Sequence, residues 1–391
     1  MIYEEHKNKI FINILCTVLF LNVFLNFLIP LVRVYFGFSS TSLLTIALYL
    51  IMLMYFIYIG YKFKVYNLFK LFIYFLIMFI FIINYLYFEN ARMYLISENM
   101  ILIYVFFIPI SIFFVSNIKN WNDLFEISRK YSKAAIILST LVLILNLNSE
   151  LNYMEFSYGI LPFICIMLID CLESYKFSKL IYLVCGLLVL LLFSARSPLL
   201  FLIMLLIYWL LTNLSKLKGF ITTVVIISFI LLVIFNADSL FLYISNINSE
   251  MNSYVLSNLL NGDFFNSDTR IIIYEESKRI ISNMGFHMYG LFGDRNLTSG
   301  VYSHNIIYEV LISFGWILGS IFLFLIVFII LSAYFLEKNE KLILALFSFS
   351  LFARYFISGS FVMEQMFYMY IAIAISFILS NITVRITRYD K

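Results

Sequence analysis

Charge is scarce in this chain: Asp, Glu, Lys and Arg make up 12% of its 391 residues, against 63% hydrophobic side chains. That balance excludes an ordinary soluble globule. Glycine (13) and proline (4) are scarce too, so a local cluster of glycines stands out. The four cysteines, Cys16, Cys165, Cys171 and Cys185, lie in apolar segments or at one membrane edge. They show neither disulfide nor zinc spacing and read as small core residues. There is no Asp-x-Asp, no HExxH, no CxxC and no Walker-type loop. These absences count against a metal-dependent glycosyltransferase and against an ATP-driven pump. No run of charges falls in the middle of an apolar segment, as an ion-coupled transporter would often show. The net charge of +4 says little without its distribution.

What the chain has instead is a succession of apolar runs, each about 20 residues, the length that crosses a ~30 Å hydrocarbon core. They give about twelve helices, near 10–32, 42–61, 67–88, 100–116, 132–148, 156–171, 178–194, 197–213, 219–236, 303–336, 341–357 and 362–380. The first run has no small-residue cleavage site and is too long for a signal peptide, so it reads as a retained helix. Asn22 and Asn26 are four apart and share a face expected to pack inside the bundle. With the N-terminus inside, most of the 26 Lys and Arg residues fall on the inner side. Both termini are therefore expected in the cytoplasm, with the long 237–302 segment outside. The predicted fold class is an all-α polytopic membrane protein: helices one to nine over 1–236, an external loop over 237–302, and helices ten to twelve over 303–391.

Within the loop, SDTRIIIYEESKRIISNM reads as an amphipathic helix capped by Ser267 or Asp268. Ile273, Ile280 and Ile281 share a face, Glu275 pairs with Arg279 at i,i+4, and Gly285 follows as the C′ residue. Gly285, Gly290, Gly293 and Gly300 then crowd a short stretch, which predicts tight turns or close backbone approach to a ligand. The loop runs directly into span ten, about 34 residues or ~51 Å of helix, too long for a straight crossing. It must project, tilt or break near Gly315; Gly315 and Gly319 form a small-xxx-small pair suited to helix packing.

The junction of loop and helix carries the chemistry. Ser303 is a good N-cap, which places His304 and Asn305 in the first turn, with Tyr308 and Glu309 one turn on. A helix N-terminus disfavours imidazolium and attracts anions, so His304 is expected to be a neutral base beside an anion site. The plainer alternative is an interfacial polar residue. Arg196, in FSARSP, sits in a hairpin on the side where arginine is disfavoured. It suits phosphate oxygens, and equally a snorkelling side chain. Ser197 and Pro198 are placed as cap and N1 of the helix that follows. Arg270, Arg279 and Arg295 add positive charge in the loop. Arg354 lies near the outer end of span eleven and is paired equally well with Glu364.

At these residues the chain resembles the bacterial O-antigen and capsule polymerases of the Wzy type and the related O-antigen ligases. The likeness rests on the helix count, the late external loop, SARSP, TRIIIYEESKRI followed by GLFGD, and SHNIIYEVLISFGWILG. Gly315 follows His304 by eleven residues, and ten residues separate Arg279 from Gly290, a spacing similar to one of these polymerases. The resemblance implies a GT-C-type, metal-independent, inverting transferase in the bacterial cytoplasmic membrane, with no cofactor. Its donor and acceptor would both be polyprenyl-diphosphate-linked glycans. A chain-length regulator protein would be a further partner, and nucleic acid would not. His304 would deprotonate the acceptor hydroxyl, and Arg196, Arg270, Arg295 and Arg354 would hold the departing diphosphate. Arg279, Asn305, Tyr308, Glu309 and Gly290 would support them. The competing functions are a ligase, which shares the chemistry, and a flippase for lipid-linked oligosaccharides, which would show two comparable halves.

Overall fold

The computed structural model describes residues 2–37, 42–97, 100–145, 147, 151–174, 176–193, 195–216, 219, 257, 268–297, 300–336 and 340–389. Among these residues every regular element is a helix. The chain runs through α1 (Ile2–Phe36), α2 (Ser42–Lys62), α3 (Leu68–Tyr87), α4 (Glu89–Ser97), α5 (Met100–Leu102) and α6 (Ile108–Phe113). It continues through α7 (Leu124–Ile144), α8 (Tyr153–Ser174), α9 (Phe177–Leu192) and α10 (Arg196–Asn213). After α11 (Asp268–Asn283) and α12 (Gly293–Leu297) come α13 (Ile306–Leu336), α14 (Lys341–Phe347) and α15 (Gln365–Tyr389).

Seven described stretches are long and apolar enough to cross a membrane, and Phe177–Leu192 and Gln365–Asn381 are shorter apolar helices. The chain therefore has the make-up of an α-helical membrane protein. All but the first residue of the expected span at 219–236, and the candidate cap Ser267, lie outside the described residues. Two expected spans are not single α-helices. From Ile103 to Phe107 the chain winds as a π-helix just before Pro109, whose ring cannot fit an undisturbed α turn. The expected span 341–357 is α14, a π-helix over Ser348–Phe352 and a 3₁₀ turn over Ala353–Phe356. These windings set the direction in which Arg354 leaves the backbone.

The bundle is built on α8, buried without interruption from Phe156 to Leu172, as expected of a helix that is apolar all round. Its neighbours include α1, α7, α9 and α10. At one end Arg129 and Lys179 close on Asp170, with Arg129 Nε at 2.7 Å and Lys179 Nζ at 2.7 Å. The three charges tie α7, α8 and α9 together where an unpaired one would be costly. Asn22 and Asn26 do face inward: a Cβ on Gly159 of α8 would lie 3.1 Å from the Asn22 amide and 3.8 Å from that of Asn26. By contrast α2 and α3 bury little of their length within the molecule.

Helix α13 breaks at Gly315, where φ is 73° and ψ 175°. The break frees the carbonyls of Ile312 and Ser313, which in an apolar setting must find donors. The glycine-rich stretch supplies them: Tyr289 N–H donates to Ile312 at 3.2 Å and Gly290 N–H to Ser313 at 3.0 Å. Leu291 N–H donates to Asn84 Oδ1 at 2.7 Å, fixing the same stretch to α3. Gly285 has φ 58° just past α11, as expected of a C′ residue. Gly315 and Gly319 do permit close approach, and among the described residues the backbone they approach is that of the 286–288 segment and of the first half of α13 itself. A Cβ on Gly315 would meet His287 O at 3.1 Å, and one on Gly319 would meet Leu311 Cα at 3.1 Å, across the kink.

Gly290 combines a positive φ of 77° with a crowded setting, a hypothetical Cβ falling 2.5 Å from Phe88 Cγ. Gly290→Ala is expected to destabilise the fold by about 3 kcal/mol or more, combining backbone strain and overpacking. Gly285→Ala, with nothing within 4 Å of its Cβ, should cost about 1 kcal/mol of strain alone. Thermal unfolding of the two purified variants in one detergent measures the difference; equal losses would overturn the insertion argument.

Candidate active site

A cavity of about 1100 Å³ opens among α1, α2, the 101–107 stretch, the start of α8, and the segments 295–302 and 354–366. Its lining includes apolar side chains, Ile46, Leu50 and Leu53 from α2 with Ile101 and Val105. Ile46, Leu50, Ile101 and Val105 are also exposed at the surface of the bundle. It includes polar ones too: Arg33, Arg295, Arg354, Glu155 and Glu364, with Tyr302, Ser358 and Ser360.

The arginines are held differently. Arg354 Nη2 donates to Glu364 at 2.9 Å, so the pairing weighed from sequence is present. Its guanidinium lies 3.9 Å from the Tyr158 ring centroid, and its buried Nε has no hydrogen-bond partner among the described residues. A flat cation clamped on an aromatic face with a spare donor is well disposed toward an anion. Arg295 is almost fully buried, packed over Phe292 at 4.7 Å, Tyr94 at 5.3 Å and Tyr302 at 5.9 Å. Its guanidinium also touches Met363 Sδ.

His304 is not in the first turn of α13. The helix begins at Ile306 and is capped by Asn305, whose Oδ1 accepts the Ile307 N–H at 2.9 Å. Ser303 is unavailable as a cap because its N–H and Oγ both donate to buried Asp294, at 2.8 Å each. His304 therefore sits just before the cap, in the left-handed region with φ 52°. Its ring lies against Tyr302, centroids 4.0 Å apart and planes tilted by 46°, one side chain removed from the cavity. Tyr302 is in turn fixed by its hydroxyl, which donates to Ser358 O at 2.6 Å. The imidazole pKa is lowered to about 4, by burial first and by the positive charge of Arg270 second. The expected neutrality is present, but the helix terminus is not its cause.

The remaining sequence candidates fall into separate places. Arg270 lies on α11, near enough to His304 to act on its charge. Arg279 is exposed, and no ion pair joins it to Glu275. Gly290 is held in the break of α13 by its N–H to Ser313 O at 3.0 Å. Arg196 opens α10 directly after its cap, Ala195, so Ser197 and Pro198 stand two positions deeper in the helix than expected. Ala195 N–H reaches Ser157 Oγ at 3.4 Å, next to the tyrosine that carries Arg354. Tyr308 packs edge-on to Tyr274 at 5.7 Å. Glu309 is buried, accepting from Ser360 Oγ and, at 3.0 Å, from Phe361 N–H, so it locks α13 to the segment before α15.

Tyr158, Tyr302 and Glu155 were not among the sequence candidates. With 29 tyrosines in the chain, nothing in spacing marks the two that frame the arginines. Among the described residues no three His, Cys, Asp or Glu side chains gather as a metal ligand set. Compared with known protein families, curated proteins and solved structures, the chain matches none.

Proposed function

We propose that this chain is a membrane glycosyltransferase that polymerises polyprenyl-diphosphate-linked oligosaccharide repeats. It would work at the outer face of the bacterial cytoplasmic membrane, in a GT-C-like bundle of about twelve helices with both ends inside. The observation that carries the proposal is the lining of the cavity. It joins apolar side chains of α2 and the 101–107 stretch, several of them also exposed at the surface, to Arg295 and Arg354. A ligand with a long hydrocarbon tail and a doubly charged head matches that combination.

In this reaction the donor's diphosphate rests against Arg354 and Arg295, with its lipid along the apolar side chains. The acceptor approaches from the side of Arg270. His304 takes the proton of one acceptor hydroxyl, the oxygen attacks the donor's anomeric carbon, and the bond to the diphosphate breaks. Inversion follows from attack opposite the leaving group. The diphosphate departs as an anion, so positive charge near it lowers the barrier more than a proton donor would. The buried His304 Nδ1, without a partner among the described residues, is a rare condition for a polar atom. Contact with a substrate hydroxyl would relieve it.

The test is an incubation of purified full-length protein with a synthetic polyprenyl-diphosphate repeat unit in EDTA, resolved on a gel. A ladder of products is expected. No ladder, with transfer only to a non-prenyl acceptor, would reassign the chain to the ligase reaction; translocation without transfer would make it a flippase.

A further inference from the structure

The cavity holds a carboxylate that the reaction above does not use. Glu155 lies at the start of α8 and lines the cavity. It is exposed to it and makes no ion pair or hydrogen bond among the described residues. The other cavity acid, Glu364, is already held by Arg354. Position on the helix locates Glu155 closely. Asn152, Glu155 and Tyr158 are spaced by three, so they fall on one face of the helix start. Tyr158 is the ring against which the Arg354 guanidinium rests, at 3.9 Å. Glu155 is thus one turn, roughly 4.5 Å of rise, from the level of the anion site. Gln365, next in sequence to Glu364, and Asn152, at the cap of α8, also line the cavity. Asn152 keeps its amide donors because only its oxygen is used, accepting from Met154 N–H at 2.9 Å.

Amides and a carboxylate at that distance from a diphosphate clamp are suited to sugar hydroxyls, which donate to carboxylate oxygens. An acidic sugar in the same place would set two carboxylates against each other. We infer that Glu155, with Asn152 and Gln365, forms a subsite for the sugar next to the diphosphate, and that Glu155 excludes an acidic sugar there. The first residue of the repeat unit is then neutral or amino-bearing, not a uronic acid. Exclusion by unfavourable charge is a common way to build specificity.

The inference rests on the lipid-diphosphate proposal, and the test separates the two. Binding to full-length protein in detergent is measured for three probes: a short-chain polyprenyl diphosphate without sugar, one carrying an N-acetylhexosamine, and one carrying a hexuronic acid. The wild type should bind the neutral sugar at least about tenfold more tightly than the acidic one. Glu155→Gln, a near-isosteric change at an exposed side chain, should bring the two within about threefold of each other, on top of a common gain in all three probes from removing a negative charge near the diphosphate. Glu155→Asp should keep the preference. Binding of all three probes with the same ratio in wild type and Glu155→Gln would overturn the role of Glu155 alone. Failure of the sugar-free probe to bind the wild type would overturn the lipid-diphosphate proposal beneath it.

Discussion

His304→Asn should stop chain growth while leaving the protein in the membrane at its normal level. The rate is expected to fall by about 10²–10⁴-fold, the usual contribution of a positioned base. Asparagine is the better replacement than alanine because His304 has φ 52°. Asn enters the left-handed region more readily than most residues, so the loss reports chemistry rather than backbone strain. The readouts are the product ladder and the thermal unfolding temperature, the second expected to stay within a few degrees. Near-normal polymer from this variant would remove His304 from the reaction. The wild type carries a matching pH signature. Burial and Arg270 hold the imidazole near a pKa of about 4, below the usual 6.5. The base is neutral above that value, so kcat/KM should persist through pH 6 and fall only as pH approaches 4. The stability effect has the same sign. Between about 6.5 and 4 the unfolded chain takes up the proton first, so this group's contribution is lost as pH drops.

Arg354→Ala should be the most damaging single change among the polar residues of the cavity. Its side chain is 11% exposed and its partner Glu364 22%, so truncation leaves a largely buried carboxylate without its cation. A loss of about 3 kcal/mol in stability is expected, mostly from that stranded charge rather than from the pair itself. The double variant Arg354→Ala/Glu364→Gln removes both charges and should recover most of the stability. It should recover none of the activity, because the guanidinium on Tyr158 is the donor proposed to meet the diphosphate. Arg354→Lys tests the same point, since an ammonium keeps the charge but neither the flat stack nor the fork. Full turnover in the double variant would show that Arg354 serves only to balance Glu364.

The elements that were legible in the sequence share one property: they depend on a single segment. Spans such as 42–61, 67–88 and 197–213 appear within a residue or two as α2, α3 and α10, because the cost of an unpaired backbone in an apolar medium forces a helix whatever surrounds it. The amphipathic helix at 268–283 and the glycine after it were readable for the same reason, from periodicity and a backbone need for positive φ. The break at Gly315 was also foreseeable, since a helix of that length cannot cross straight.

The site was legible only in part. Arg295 and Arg354 line the cavity, and His304 and Glu309 lie against its lining residues Tyr302 and Ser360, yet the local argument that placed His304 in a first helical turn was mistaken. Ser303 looked like a cap because serine commonly is one; buried Asp294, nine residues earlier, claims both of its donors and shifts the cap to Asn305. Similarly, Gly290 was noted for density, while its role depends on Phe88 and Asn84, some two hundred residues away in sequence.

By itself, the sequence determined that this chain is a helical membrane protein with a polar, glycine-rich segment feeding a broken helix. Apolar length and backbone hydrogen bonding act within a segment and leave little choice. Only the tertiary structure decided which charges meet. Arg354 pairs with Glu364 on the Tyr158 ring, His304 lies behind Tyr302, and Glu155 lines the same cavity with no partner among the described residues. Those meetings depend on how α8, α13 and α15 come together, and a contact between helices leaves no periodic trace in the chain that forms it.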